Sequence, residues 1–297
     1  MATLRDIRQR IKGVKNTQQI TKAMKMVAAS KLRKAQESMM AARPYSLNVH
    51  HLLGKLVLDE RVSENPLIND RESINRVALV VISADRGLCG SFNSNLIKNA
   101  QRMIQTDLKS WATTGNLDII PLGRVGYDFF RRRAFKIPFY RSGIFGHLTL
   151  SDIRSVRDFL VQNYQNGTYD RIIVISNEFK NVVTPKVTTH QFLPIRTEAL
   201  EGIDASGSFQ ADYIFEPDPN AVLEGVVPLY LSQLLMQIFL ESIASEHGAR
   251  MAAMDTATEN AKALLKSLTL TYNQLRQAAI TKEILEIVSG AEALSKG

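Results

Sequence analysis

The chain has 297 residues, 45% of them hydrophobic and 22% charged, with a formal net charge of +8. That is the composition of a folded chain with a sizeable core, enough for one large domain or two smaller ones. Its single cysteine, Cys89, excludes an internal disulfide, and the five histidines (His50, His51, His147, His190 and His247) make no spacing with it that suggests a metal cage.

The opening Met-Ala-Thr-Leu-Arg-Asp-Ile-Arg has no apolar h-region, so no secretory signal is expected. The basic charge is local. Residues 1–43 hold eleven cations (Arg5, Arg8, Arg10, Lys12, Lys15, Lys22, Lys25, Lys31, Arg33, Lys34, Arg43) against Asp6 and Glu37, a balance of +9 that leaves −1 for the rest of the chain. Such a segment seeks an acidic partner: nucleic acid, anionic lipid or an acidic protein surface.

Residues 3–58 read as one long helix. Stepping 3.5 residues from Leu4 meets Ile7, Ile11, Val14, Gln18, Thr21, Lys25, Ala28, Leu32, Ala35, Met39, Ala42, Ser46, Val49, Leu53 and Leu56, a heptad pattern that fails at Gln18, Thr21 and Lys25. Pro44 removes a hydrogen bond and is a candidate kink. A helix of this length would run roughly 80 Å, too far for a compact domain.

The middle of the chain has another period. Val77–Ile82 and Arg171–Ser176 are continuous apolar runs suited to buried parallel strands, Asp118–Leu122 is a third strand, and Lys186–Leu193 reads as an edge strand. Helices are predicted at about 91–110, 124–133 and 151–165. Alternating strands and helices imply a small doubly wound α/β domain over 76–195, with polar linkers at 59–75 and 196–218.

From 219 to 297 a second long helix is expected, with Pro219 and Pro228 where a helix can start. Ala257, Ala261, Leu264, Leu268, Thr271, Leu275 and Ala278 continue a 3–4 spacing, with Ile284 and Ile287 beyond. Val226–Ala244 nearly has the length of a membrane span, but Gln233, Gln237 and Glu241 recur every four residues and mark a helix packed on one side. Two long helices at opposite ends of one chain most simply form an antiparallel coiled coil, so the fold class is α/β plus coiled coil.

The best enzymatic candidate is Ser83–Ser91, after the first strand, where ligands bind in open α/β sheets. It matches neither GxGxxG nor the P-loop, and Cys89 has no histidine partner evident in sequence. A glycine-permitted turn feeding a helix is the simpler reading. Met24, Met26, Met39, Met40, Met236, Met251 and Met254, at helical spacing, read as seam and interface filling.

Long strings at both ends carry a family resemblance. Asn16–Ala29 (NTQQITKAMKMVAA), Ala249–Ala261, Tyr272–Thr281 and Ile280–Ala291, with Asp85-Arg-Gly-Leu-Cys-Gly90 and Tyr213–Pro219, resemble the F-type ATP synthase gamma subunit over essentially the whole chain. The resemblance implies an asymmetric shaft whose coiled coil enters a ring of alternating alpha and beta subunits, with a Rossmann-like α/β domain flanking its foot. Turning it would drive each catalytic beta site between open and closed states. The chain itself would be non-catalytic, with no cofactor and no metal.

By the same resemblance Met24, Lys25, Arg276, Gln277, Thr281 and Glu283 match positions beside the beta subunits. Asp85 and Arg86 match a loop facing the head or epsilon, and Tyr213 and Glu216 the foot against the c-subunit ring and epsilon. The implied partners are alpha, beta, epsilon and the c-ring, without nucleic acid. The implied location is the cytoplasmic side of a bacterial plasma membrane, a mature organellar protein being the alternative. Plastid relatives carry a redox-active cysteine pair in an inserted loop; with Cys89 alone, thiol control by that route is not expected. Two other classes stand beside this reading: a nucleic-acid-binding coiled coil using residues 1–43, although stacking aromatics are absent there, and a small α/β enzyme with helical arms.

Overall fold

The computed structural model describes residues 3–58, 65–68, 71–181, 185–196 and 215–295, with side chains to residue 291. Most of both expected linkers lies outside these residues, as does Tyr213. The elements in order are α1 (Leu4–Val57), β1 (Val77–Ile82), α2 (Phe92–Gln105), α3 (Lys109–Thr113), β2 (Leu117–Leu122), α4 (Arg124–Arg131), α5 (Leu150–Gln165), β3 (Arg171–Glu178), β4 (Lys186–Leu193) and α6 (Pro219–Ser295). They form two compact units, one of residues 29–250 and one of residues 1–28 with 251–297, and α1 and α6 contribute to both.

In the larger unit the sheet order is β2-β1-β3-β4. β1 pairs in parallel with β2 (Val77 opposite Leu117) and with β3 (Val77 opposite Arg171), and β4 closes the edge antiparallel to β3. β1 and β2 are buried throughout because helices cover the sheet, which is why they are continuously apolar rather than alternating. Pro121 is tolerated because β2 is an edge strand.

Four expected features differ. The helix foreseen at 91–110 is two: α2 stops at Gln105, where the Thr106 hydroxyl bonds back to the Arg102 carbonyl and Leu108 turns into the core. Trp111 then anchors α3 by donating from Nε1 to the Ile74 carbonyl at 2.9 Å. Helix 124–133 ends two residues early, at Arg131, in a turn where Ala134 takes φ 56°. Pro44 does not interrupt α1, and Pro228 lies inside α6 rather than at its start. Asp218 starts α6 instead, its Oδ1 accepting from the amides of Asn220 (2.9 Å) and Ala221 (3.0 Å), with Pro219 as first helical residue.

α6 is long and apolar enough to cross a membrane by length and composition alone. Within the larger unit, however, its apolar stretch is covered by protein. Val227, Leu231, Leu235, Ile238, Phe239 and Ala244 are buried, Phe239 meets Phe145 edge-on, and Tyr230 packs against His50 of α1. Of the polar residues expected on its open face, Gln237 is exposed and donates to Glu241.

At the amino ends of the strands two buried carboxylates are paired, Asp118 through Oδ2 and Asp170 through both oxygens. Asp118 accepts from Tyr169 (3.0 Å) and Arg76 (3.2 Å), with Lys136 at 3.6 Å. Asp170 accepts from the amides of Asn75 and Arg76 and from Arg71 Nη1. Burial alone would raise the Asp170 pKa, but the two backbone donors and Arg71 outweigh it and hold the carboxyl below its ordinary value. Its contribution to stability is therefore present above the unfolded value near pH ~4 and lost as pH falls through the lower folded value. Asp170→Asn should cost about 3 kcal/mol in urea unfolding at neutral pH, and markedly less once the wild-type carboxyl is itself protonated.

Candidate functional site

In a sheet ordered this way a ligand would be sought beyond the carboxyl ends of β1 and β3, where the connections diverge. That place is filled by α6. Asn177, at the end of β3, exchanges backbone hydrogen bonds with the Ser242 hydroxyl, its amide donating and its carbonyl accepting at 3.3 Å. Arg250 Nη1 donates to the Gly87 carbonyl at 2.7 Å and forms a buried ion pair with Glu246 one turn earlier. Residues 242–249 of α6 are all buried.

The loop after β1 is tied down as well. Asp85 accepts from the Arg124 amide and the Gly143 amide, both at 3.1 Å, so it clamps the start of α4 to a loop 58 residues away. Gly123 precedes α4 at φ 119°, and a β-carbon there would lie 1.8 Å from the Ser83 carbonyl oxygen, so no other residue fits. Arg86, Gly87 and Leu88 are exposed, Leu88 in the left-handed region at φ 63° and 68% accessible.

Cys89 faces inward. Burial raises its thiol pKa, the Glu246 charge adds to this, and Asn93 Nδ2 lies 3.3 Å from Sγ. A neutral, buried thiol is a poor nucleophile. Among the described residues no group of three His, Cys, Asp or Glu side chains is placed to hold a metal ion. Cys89 should react with a soluble disulfide reagent at about a tenth or less of its rate in the unfolded chain; timed labelling with and without denaturant measures this.

The smaller unit is where most of the sequence-derived contact residues lie. Its two helical segments run antiparallel: Arg8 Nη2 donates to the Tyr272 hydroxyl at 2.7 Å, Thr21 and Thr258 share a hydroxyl hydrogen bond of 2.8 Å, and Lys25 pairs with Asp255 at 2.5 Å. The stripe therefore does not fail at Gln18, Thr21 and Lys25. None of the three is fully exposed, Thr21 is buried, and polar pairs replace apolar contacts there. On the facing helix the seam is Met254, Thr258, Ala261, Leu265, Leu268, Tyr272, Leu275 and Ala279. Leu264, Thr271 and Ala278, one residue away, face solvent instead of the seam.

Extending the Arg8–Tyr272 register to Leu4 brings the start of α1 level with Arg276. From Ile280 to Ala291 every residue of α6 is exposed, including Ile280, Ile284, Leu285, Ile287 and Val288 at 49–71% accessibility. Ile284 and Ile287, expected to prolong the seam, belong to this uncovered stretch. Arg276, Gln277, Thr281 and Glu283 are exposed, Met24 and Lys25 half-buried, and Glu216 exposed just before α6. Asp255, Glu246 and Arg250, not singled out from sequence as partners, supply the ion pairs. Only the charged i,i+4 spacing of Glu246 and Arg250 could have indicated one of them.

The ATP synthase family model matches residues 3–294. The ATP synthase gamma chain of Chlorobaculum tepidum is 46% identical over 296 residues and covered at 100% in both chains. That of Prosthecochloris aestuarii is 48% identical over 294 residues, 99% of each chain. Among solved structures, a chain of the Euglena gracilis mitochondrial ATP synthase (OSCP, F1 and c-ring) superposes with a TM-score of 0.66 at 18% identity, covering 98% of this chain and 94% of that one. One from the Tetrahymena thermophila central stalk and c-ring gives 0.59 at 24%, covering 80% and 99%. The fold is thus shared with those structures, and by full-length identity the chain belongs to the ATP synthase gamma-chain family.

Proposed function

We propose that this chain is the rotating central stalk of an F-type ATP synthase, passing torque from an ion-driven rotor to the catalytic beta subunits without catalysing a reaction itself. The observation that carries the reading is the bare end of α6. Five large apolar residues between Ile280 and Val288 stand uncovered on a helix that, among the described residues, has no opposing strand or helix from its own unit. Exposed apolar surface of that kind marks a contact site. A ring of alpha and beta subunits around the helix tip would cover it while leaving it free to turn.

The contact roles follow from position and chemistry. Arg276 and Gln277 offer forked and amide donors suited to acidic or polar beta-subunit loops, and Thr281 and Glu283 lie one to two turns further along. Met24 and Lys25 occupy the same unit on α1; Lys25 is held by Asp255, so a beta carboxylate would compete for it. Arg86, projecting from a loop fixed by Asp85 and Arg250, faces the head or epsilon, while Glu216, with Tyr213, belongs to the foot against the c-ring and epsilon. Orientation biases each beta subunit because the two sides of an irregular helix pair present different contacts, and a difference in contact free energy shifts a conformational equilibrium. Through these partners the chain is held peripherally at the membrane, on the cytoplasmic side in a bacterium.

The filled crevice beyond β1 and β3 supports a non-catalytic role, since the usual ligand position is taken by α6. The test is ATP hydrolysis by purified alpha and beta subunits with and without the chain, and by the chain alone. The chain should be inert alone and should convert the mixture into a stable, rapidly hydrolysing complex. Arg276→Ala should leave assembly intact and lower turnover by about tenfold, the loss of one charge-assisted contact. An unchanged mixture would refute the reading.

A further inference from the structure

The larger unit has a charged surface of its own, separate in sequence from the basic N-terminal segment. Between Arg124 and Arg141 there are six cations and one acid, Asp128. Arg124 lies 4.0 Å from Asp128, Lys136 reaches Asp118, and Arg141 pairs with Asp152. Arg131, Arg132 and Arg133 are left, all exposed on the turn that ends α4, and among the described residues none forms an ion pair. Arg131 lies over the Tyr127 ring at 5.4 Å and Arg133 over Phe129 at 3.7 Å, where its Nη1 also donates to the Phe129 carbonyl at 3.4 Å, so two of the three guanidiniums are held against aromatic faces.

Basic residues at a helix C-terminus complement its dipole. One would suffice for that, and three in succession, repelling one another, call for an anionic partner. The place of the turn indicates which. α4 starts beside Ser83, at the carboxyl end of β1, where the Gly126 amide donates to Ser83 Oγ. It runs back along the sheet, so Arg131–Arg133 stand at the amino ends of the parallel strands, opposite the loop of Arg86 and Leu88. α2 ends at the same pole and adds exposed Arg102 and Lys109 against Asp107. Phe129, Phe135 and Ile137 pack with Met103 and Trp111 on one core cluster, so these charges share a common apolar footing.

We propose that this pole docks against an anionic phospholipid surface, the guanidiniums of Arg131, Arg132 and Arg133 engaging headgroup phosphates. The proposal rests on the central-stalk reading and, of the head and epsilon as partners of the Arg86 loop, takes the head, so that the opposite pole faces the membrane. Adjacent guanidiniums on an exposed turn suit a layer of phosphates, because each can take two oxygens and the layer needs no matching shape. An acidic protein surface would have to place carboxylates against a turn whose neighbouring cations are already paired, and it is the less favoured occupant. Each basic residue near an anionic surface strengthens binding about fivefold.

Flotation of the full chain with phosphatidylglycerol–phosphatidylcholine vesicles tests this. The variants are R131E/R132E/R133E, the neutral R131Q/R132Q/R133Q, and an equal charge reversal on α1, K12E/K15E/K22E. The turn variants should lose at least about tenfold in affinity, more than the α1 reversal loses, and the wild type should not float with phosphatidylcholine alone. Equal flotation of wild type and turn variants, a larger loss from the α1 reversal, or salt-insensitive binding to neutral vesicles would overturn the proposal. Assembly with alpha and beta subunits, scored on the same preparations, reports separately on the stalk reading, which fails if the wild type does not assemble, whatever the vesicles show.

Discussion

The apolar stripe of α6 has to be covered along its length, and what covers it changes along the helix. From Leu223 to Ile238 it is buried against its own unit, with Glu224, Leu229 and Gln237 left exposed, and from Ser242 to Ala249 every residue is buried, Glu246 and His247 included. From Met254 to Ala279 a single helix faces it, and the residues on its far side are exposed. From Ile280 to Ala291 nothing among the described residues of its unit covers it. A helix buried all round belongs to a core, a helix buried on one stripe to a coiled coil, and a bare apolar helix to an interface. One element is therefore in turn a buried anchor, one half of a helix pair and a bare apolar end.

The anchor has a consequence for chemistry. By occupying the crevice beyond β1 and β3, α6 turns a fold that elsewhere holds ligands into a mount for a helix. The buried Glu246–Arg250 pair, reaching the Gly87 carbonyl, fixes the exposed loop of Arg86 and Leu88 relative to that mount. His247 is buried beside it; burial lowers its pKa, so the imidazole is neutral at physiological pH and leaves Glu246 to balance Arg250.

Much of this was legible from residue order. Continuous apolar runs gave the buried strands, and the 3.5-residue step from Leu4 to Leu56 meets no fully exposed residue. The polar stretch Gln18–Lys25 misled because a heptad rule scores side chains singly, whereas Thr21 and Lys25 are accommodated by Thr258 and Asp255 on a helix far away in sequence. On α6, Leu264 and Leu265 fit two stripes equally well, and only the facing helix selects Leu265. Asp85 illustrates another limit: family resemblance assigns it to a contact loop, and its amide partners at Arg124 and Gly143, which come from distant turns, are not evident in sequence. The tip residues Arg276, Gln277, Thr281 and Glu283 were placed by family resemblance, and nothing in their own spacing distinguishes a contact surface from a solvated face.

The central claim is that the chain turns inside a stationary head. Because Cys89 is buried, an added thiol at Arg154→Cys, on the exposed side of α5, can carry a single probe on the complex with alpha and beta subunits immobilised. With ATP the probe should rotate continuously in one direction, and stop when ATP is withdrawn. Steady hydrolysis with the probe only fluctuating about a fixed angle would contradict the account.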